Sequence, residues 1–301
     1  MPPTPLLRRL RSLGARLSPA SRRWRRFLRE LPLDPDRLPR PVAPPSERDF
    51  VLCGVPRSGT TLLAAQLFQP PRVVTVMEPW DGMRLPPAEL FASLRAEIAA
   101  TGRLTRGKLD VAALAESGEV SWVAEGTPTP PLDLAPGYLL GVKWPAYWRF
   151  LDLLPETRFL VCLRHPEEVI ASFAATPGRL AEGLEYDVAF NRALNRELRA
   201  ATRDPAVRRA LLWERVNRAL LPYLDRPNVL PVRYERWFTA PEALRAELSA
   251  FLGVELGPWP AALRQPRAPR AGEGDRRLRA LVAERCPTAA VLGYGGGGEE
   301  G

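Results

Sequence analysis

The sequence has few residues that serve as metal ligands or disulfide partners, and it has no long hydrophobic stretch. It contains one histidine and three cysteines, and the cysteines lack the spacing of a metal site. Cys53 and Cys162 each lie in an apolar run, where a free thiol behaves as a small hydrophobic side chain. No apolar run approaches the ~20 residues that a membrane-spanning helix needs. We therefore expect neither a disulfide framework, a metal site nor a membrane span.

The first residues also lack two features of a secretory signal. Residues 1–17 contain no uninterrupted apolar core and no cleavage site of small residues. Together with the unpaired cysteines, this favours a cytoplasmic protein. Lysine is scarce as well, because 41 of the 43 basic residues are arginine. This bias, with many prolines and alanines, is typical of a bacterial genome rich in G and C.

The positive charge is concentrated in an N-terminal basic arm, residues 1–48. It contains twelve arginines and four acidic residues, so it holds eight of the nine net positive charges. The rest is nearly neutral, which argues against a catalytic domain that binds nucleic acid. Residues 1–31 have apolar stripes at helical spacing, which would either dock on the domain or contact an anionic membrane surface. Docking is favoured, and the proline-rich residues 32–48 are predicted to be a linker.

From residue 49 onward, strand-like and helical patterns alternate. Apolar runs predict buried strands at 50–55, 72–77, 138–142, 158–163 and 228–232. Helical patterns occur at 59–69, 87–100, 145–154, 166–175, 187–202, 205–224 and 241–252. Such alternation predicts an α/β fold, a parallel sheet with helices on both faces. We expect one domain over residues 49–288 and a flexible glycine-rich tail at 289–301.

A glycine-rich segment, GVPRSGTT, follows the first predicted strand and begins a helix. The unpaired amides at such a helix start form a cradle for an anion, as in phosphate-binding loops. Gly59 lets the backbone approach a ligand, and Ser58, Thr60 and Thr61 add hydroxyl donors. Arg57 adds a fork-shaped cation that suits a tetrahedral anion. A purely structural turn would not need this density of hydroxyl groups and arginine.

This loop lacks the lysine of an ATPase or GTPase, because Thr60 follows its second glycine. Nucleotide kinases and NTPases also hold Mg²⁺ with an acidic residue at a strand end. Here the predicted strands end near Glu78, Lys143, Arg164 and Arg233, and no apolar run ends in aspartate. The pattern predicts an anionic group transferred without a metal ion. A nucleotide-dependent kinase is the alternative.

These segments resemble the sulfotransferases that use 3′-phosphoadenosine 5′-phosphosulfate (PAPS). PRSGTTLL is similar to the family's 5′-phosphosulfate-binding loop, and RFLVCLRHPEEVIASF is similar to its second signature, a strand followed by a helix. VLPVRYERWFTAPEALRAELSAFLGV resembles a third segment, which ends in FLG. The resemblance spans about residues 50–254. It implies a P-loop-containing fold and sulfuryl transfer from PAPS to a hydroxyl of a carbohydrate or another small molecule.

The resemblance also implies roles for individual residues. Arg164 and Ser172 would hold the 3′-phosphate, and Tyr234 would stack near the adenine. Arg57 and Lys143 would stabilise the negative charge that grows on the leaving phosphate. Three structural alternatives stay open, since Arg164 could neutralise a helix end, Ser172 could be an ordinary buried hydroxyl and Tyr234 could belong to the core.

The general base is where the sequence departs from many family members. Cytosolic members often use a histidine shortly after the strand-end lysine, but none follows Lys143, and the single histidine, His165, adjoins Arg164. Sugar-modifying and bacterial branches use a glutamate after the second strand, which Glu78 matches. Glu78 is therefore the expected base, with pairing to an arginine or a helix cap as its alternative role. Glu125, in WVAEGTPTPP, is the second candidate.

The acceptor leaves only weak signals in the sequence. Trp80, Trp144 and Trp148 follow predicted strand ends, where they would line an acceptor pocket or fill the core. Residues 176–187 interrupt two helices and are a candidate lid on the acceptor side. Neither feature identifies the acceptor or an oligomeric state. A non-catalytic protein that contacts membranes through its basic arm is the remaining alternative.

Overall fold

The computed structural model describes residues 33–107, 128–176, 178–186, 188–259 and 276–294. The predictions on Glu125 and on the apolar stripes of residues 1–31 lie outside these ranges. Among the described residues, no helix combines the length and the hydropathy that crossing a membrane requires.

A five-stranded sheet forms the centre of the domain. Its strands are β1 (Asp49–Gly54), β2 (Val73–Met77), β3 (Leu139–Lys143), β4 (Arg158–Leu163) and β5 (Val229–Arg233). All neighbouring strands are parallel, in the order β2-β3-β1-β4-β5. Every residue of β1, β2 and β3 is buried, and because side chains alternate between faces, both faces are covered. The predicted fold class is confirmed, with strand bounds accurate to one residue.

Nine α-helices lie within the described ranges. They are α1 (Thr60–Gln66), α2 (Pro87–Thr101), α3 (Pro166–Ala175), α4 (Arg192–Ala201), α5 (Pro205–Leu220), α6 (Arg236–Thr239), α7 (Pro241–Leu252), α8 (Arg276–Arg285) and α9 (Thr288–Val291). The predicted helix at 145–154 is instead a 3₁₀ segment, Pro145–Phe150, because its backbone hydrogen bonds join residues three apart. Further 3₁₀ turns are Pro35–Arg37, Trp80–Met83, Ala189–Asn191 and Leu221–Tyr223.

The strand order places a crevice at the middle of the sheet. After β3, the chain crosses over β1 and forms β4 on its other side. Ligands of open α/β sheets bind outside the carboxyl ends of the strands at such a reversal. The register pairs Lys143 with Leu52 and with Met77, so the ends of β2 and β3 lie at the same edge as the loop after β1.

The hydrophobic core extends beyond both predicted domain limits. Leu33, in the predicted linker, is buried and its amide donates to the carbonyl of Met83. Ala289 and Leu292, in the predicted tail, are buried as well, and Tyr294 packs at the edge of the same core. The packed core therefore includes residues from both the predicted linker and the predicted tail.

Candidate active site

The loop after β1 is shaped by two glycines and one hydroxyl. A Cβ at Gly54 would lie 2.5 Å from the carbonyl oxygen of Cys162 on β4, so a side chain does not fit there. Gly59 has φ 97°, and its Cβ would lie 2.6 Å from the ring of Tyr234. Ser58 closes the turn, because its amide and hydroxyl both donate to the carbonyl of Val55, at 3.1 and 2.6 Å. Its hydroxyl thus bonds within the loop.

A cavity of about 250 Å³ lies at the carboxyl ends of the strands. Most of the predicted site residues line it: Arg57, Gly59, Thr60, Thr61, Glu78, Lys143, Arg164 and Tyr234. Four further residues complete its described lining, namely Pro56, Leu62, Pro145 and Tyr186. Ser172 reaches the site indirectly, through its contact with Arg57.

One end of the cavity, the ion-pair end, consists of Glu78 and Lys143. The Lys143 Nζ donates to Glu78 Oε1 at 2.5 Å, and the two residues are only 3% and 4% exposed, respectively. The backbone also joins them, since the Glu78 amide donates to the Lys143 carbonyl at 2.8 Å. Burial of either charge alone would be costly, so each compensates the other. The predicted base therefore takes part in an ion pair, with Lys143 as its partner where the alternative prediction named an arginine.

The other end, the arginine end, consists of Arg57, Arg164, Ser172 and Tyr234. The Arg57 Nε donates to Ser172 Oγ at 2.9 Å. Arg164 donates to the carbonyl of Arg57 at 3.1 Å and to Glu168 at 3.2 Å. The Nε of Arg164 is buried and has no hydrogen-bond acceptor among the described residues. This end therefore holds two guanidinium groups, one with an N–H donor that has no acceptor in the described part of the chain.

Tyr234 forms the wall of the arginine end. It is largely buried, and the Arg164 guanidinium lies 4.0 Å from its ring centroid, a cation–π contact. Burial raises the pKa of its hydroxyl, against the opposing charge of Arg164. The ring also packs on Gly59 and meets Phe238 edge to face. Its predicted stacking near an adenine stays a prediction.

Two cavity residues have positive φ angles that side chains rarely adopt. Arg57 has φ 70° and Glu78 has φ 49°, and among the described residues these are the two such positions outside glycine. Each costs on the order of 1 kcal/mol or more, and such strain is concentrated at functional sites. The surrounding structure therefore holds both residues in a backbone conformation that they would not adopt on their own.

The sequence predictions missed two neighbouring residues, Glu185 and Tyr186. Tyr186 lines the cavity, and burial followed by the charges of Glu78 and Glu185 raises the pKa of its hydroxyl. Both residues belong to the segment that was predicted to be a lid, but its sequence singled out neither residue. The only available signal was a polar pair, Glu-Tyr, directly after the apolar Leu184.

Neither His165 nor any of the three candidate tryptophans is among the described residues that line this cavity, and Trp80 begins the 3₁₀ turn Trp80–Met83. The Trp144 indole donates to the carbonyl of Pro79, which makes it a buried structural residue. Trp148 lines a separate cavity beside Arg40 and Tyr223. The ring of His165 packs against Tyr294, 5.5 Å between centroids.

The arrangement suits an anionic ligand. Three cations line the cavity, Arg57, Lys143 and Arg164, together with two hydroxyl-bearing residues, Thr60 and Thr61. One carboxylate, Glu78, lies among them as a potential proton acceptor. Within the described ranges, no group of three or more histidine, cysteine or acidic residues is placed to hold a metal ion.

Comparisons with known proteins agree with these features. Residues 49–258 match a family model described as "Sulfotransferase family". The nodulation protein NoeE of Sinorhizobium fredii is 34% identical over 137 residues, which cover 42% of this chain and 31% of that protein. The chain thus matches about a third of this relative's length.

Solved structures give more distant similarities. A sulfotransferase from Alicyclobacillus acidocaldarius is 18% identical, with a TM-score of 0.44 over 83% of this chain and 96% of that one. A mouse sulfotransferase complexed with PAP is 12% identical, with a TM-score of 0.35 over 86% of this chain and 71% of that one.

Proposed function

The chain belongs to the sulfotransferase family, and on this premise we propose that it transfers a sulfuryl group from PAPS to a hydroxyl of a carbohydrate or another small molecule. The observation that carries the proposal is the meeting of Glu78, Lys143, Arg57 and Arg164 at one cavity. At this cavity the Glu78 carboxylate can accept a proton, and the neighbouring cations can stabilise the negative charge of a leaving phosphate. The preference for a carbohydrate rests on the glutamate after β2, which resembles the sugar-modifying branches of the family.

The described residues fit a co-substrate with phosphate groups at two positions. The buried Nε of Arg164 has no acceptor among the described residues, and an anion would supply one. In this proposal, Arg164 and Ser172 hold the 3′-phosphate and Tyr234 lies near the adenine. Arg57, Gly59, Thr60 and Thr61, with the loop that Ser58 closes, hold the 5′ side.

The chemistry assigned to the residues follows from their positions. When bound, PAPS supplies the sulfuryl group and the leaving phosphate. Glu78 accepts the proton of the acceptor hydroxyl as that oxygen becomes the nucleophile. Lys143 and Arg57 provide positive charge where the leaving oxygen becomes negative, an interaction of a kind worth roughly a hundredfold or more in rate. Because Lys143 contacts Glu78 directly, one ammonium group links the base to the leaving-group side.

The location of the reaction is part of the same proposal. Cys53, Cys162 and Cys286 are all free thiols and all buried. Unpaired cysteines are usual in a reducing compartment, which supports a cytoplasmic enzyme. The proposed partners are a small-molecule or glycan acceptor, while contact of residues 1–31 with an anionic membrane surface is a secondary proposal.

Calorimetry with 3′-phosphoadenosine 5′-phosphate (PAP) tests the proposal without knowledge of the acceptor. We expect PAP to bind in the presence of EDTA, and more tightly than ATP does with Mg²⁺. Failure of PAP to bind, or a preference for ATP with Mg²⁺, would favour a nucleotide-dependent kinase. A screen of mixed acceptors with radiolabelled PAPS would then identify the acceptor.

A further inference from the structure

A second buried carboxyl group, that of Glu185, lies beside the cavity. Glu185 is 0% exposed and directly precedes Tyr186, which lines the cavity together with Glu78 and Lys143. Its Oε2 accepts a hydrogen bond from the Tyr186 amide at 2.9 Å. Its Oε1 is buried and has no hydrogen-bond partner among the described residues. A buried carboxylate normally has all its oxygens satisfied, so this atom needs an explanation.

The backbone of Glu185 is held firmly in place. Its amide donates to Asn195 Oδ1 at 2.8 Å, and the Asn195 side-chain nitrogen donates to its carbonyl at 3.1 Å. The Arg179 Nε donates to the same carbonyl at 2.9 Å. Asn195 lies on α4 and is itself buried. These three hydrogen bonds fix the position of the Glu185 backbone beside the cavity-lining Tyr186.

The charged groups around Glu185 come from several elements. Glu78 and Lys143 lie at the ends of β2 and β3, and Arg179 lies on the same loop. Burial, reinforced by the Glu78 charge, raises the pKa of Glu185 to about 7, while the Tyr186 amide, Lys143 and Arg179 oppose this shift. Glu185 is thus a buried carboxyl group with one oxygen that has no partner among the described residues, close enough to Glu78 and Lys143 to feel their charges, and it titrates near neutral pH.

We propose that Glu185 is a positioning residue of the proposed sulfotransferase site, which takes up a proton when the phosphates of the co-substrate bind. The proton comes from solvent and bonds to a Glu185 carboxyl oxygen, which turns the carboxylate into a neutral acid. Lys143 keeps its contact with Glu78, and the negative charge of a second carboxylate no longer acts on it or repels the phosphate. The inference rests on the proposed function, because it requires an anionic ligand in this cavity.

The sign of the pH dependence follows from linkage. A bound anion adds negative charge near Glu185, which disfavours its ionised form and raises its pKa above the value in the free protein. Well below pH 7, Glu185 already carries its proton and binding has its full strength. Above pH 7, the proton must be taken up during binding, so the affinity falls as the pH rises.

Calorimetry of PAP binding in two buffers that differ in ionisation enthalpy measures this proton. The titrations compare the wild type with Glu185→Gln, in which the amide oxygen can still accept the Tyr186 N–H bond. Glu182→Gln is the matched control, because Glu182 is an exposed glutamate on the same loop. The phosphates of PAP also exchange protons, but they do so equally in all three proteins.

At pH 8 we expect the wild type and Glu182→Gln to take up nearly one proton more than Glu185→Gln. Between pH 6.5 and pH 8, the affinity of these two proteins for PAP should fall by about five- to tenfold more than the affinity of Glu185→Gln does. If Glu185 had a purely structural role, Glu185→Gln would take up as many protons as the wild type, and its affinity for PAP would fall equally with pH. Equal proton uptake in all three proteins would overturn the inference and leave the proposed function intact. Absence of PAP binding in the wild type would instead contradict the proposed function, and this inference together with it.

A spectroscopic measurement covers the case in which Glu185→Gln does not fold. Wild-type protein with ¹³C-labelled glutamate side chains should show one carboxyl resonance that titrates near pH 7 and becomes protonated when PAP is added. If no glutamate behaves in this way, Glu185 does not take up the proton.

Discussion

At the ion-pair end of the cavity, Glu78 and Lys143 are buried and neutralise each other, whereas at the arginine end positive charge is in excess. Arg57 is exposed, and the Arg164 side chain shares an ion pair with one partly exposed carboxylate, that of Glu168. The first end already contains both partners of a charge pair. The second end has guanidinium groups that are able to accept an anion.

This difference separates binding from chemistry. An anion can join the arginine end without displacing an acid that is buried with it, so this end is suited to supply affinity. At the ion-pair end, any ligand that contacts Lys143 shares this ammonium group with Glu78. In the proposed reaction Glu78 gains a proton and the leaving oxygen gains negative charge, so the interactions of Lys143 change as the reaction proceeds. Interactions that differ between ground state and transition state alter the rate rather than the affinity. The two ends should therefore respond differently to substitution.

Glu78→Gln should give the largest effect and should act on turnover. We expect turnover to fall by about two to four powers of ten, because the variant lacks the proton acceptor. Affinity for PAP should change by no more than a few fold, since the proposed contacts with PAP are made by the loop after β1 and by the arginine end. Sulfuryl transfer from radiolabelled PAPS, with an acceptor found by screening, measures turnover, and calorimetry measures PAP affinity.

The melting temperature of Glu78→Gln separates a lost base from a lost ion pair. The glutamine can still accept a hydrogen bond from Lys143, so the variant should fold, with some loss of stability. Near-normal turnover would show that the base lies elsewhere, and Glu125 would be the next residue to test. A variant that fails to fold would support a structural role for the Glu78–Lys143 pair.

Arg164→Ala should have the opposite effect, a loss of affinity. A charge-assisted contact with a phosphate is removed, so PAP should bind about 10- to 100-fold more weakly by calorimetry. Arg226→Ala is a matched control, because Arg226 also lies over a tyrosine ring, at 4.4 Å, and pairs with an acid, Asp152. If both variants bind PAP as the wild type does, Arg164 has only the structural role that its contacts with Glu168 and Tyr234 allow.

Ser172→Ala should give the smallest effect, again on affinity. The substitution removes the acceptor for the Arg57 Nε, and with it the proposed hydroxyl contact to the ligand. One neutral hydrogen bond corresponds to a loss of roughly two- to tenfold in PAP affinity. Ser93→Ala is the matched control, since Ser93 Oγ likewise accepts from an arginine, Arg106, at 2.8 Å. A loss as large as that of Arg164→Ala would mean that Ser172 fixes the position of Arg57.

Much of the site could be predicted because parallel strands end at a common edge. Apolar runs defined the five strands, and the polar residues that follow them, such as Glu78 and Arg164, then had to lie near the loop after β1. The anion loop was recognisable because its glycines, hydroxyls and arginine follow one another in sequence. These are patterns within short stretches of sequence, so they can be recognised without knowing which strands are neighbours.

The pairings across the sheet could not be predicted in the same way. The contact of Glu78 with Lys143 depends on β2 lying next to β3 with Met77 opposite Lys143, and neither strand order nor register is encoded in a short pattern. The bond between Arg57 and Ser172 joins residues 115 positions apart. Glu185 was missed because a single buried carboxyl group in a loop has no sequence signature.

The positive φ angles of Arg57 and Glu78 have a consequence for how this protein responds to selection. Glycine adopts such a backbone without the penalty of about 1 kcal/mol or more that a side chain incurs, so at Arg57, whose side chain is exposed, a glycine would relieve this strain. A laboratory search for heat-resistant variants would favour such a change and discard an arginine of the site. A screen that selects for activity as well as stability should retain Arg57 and Glu78. Their retention in such a screen would show that they are kept for function, because backbone strain alone would favour their replacement.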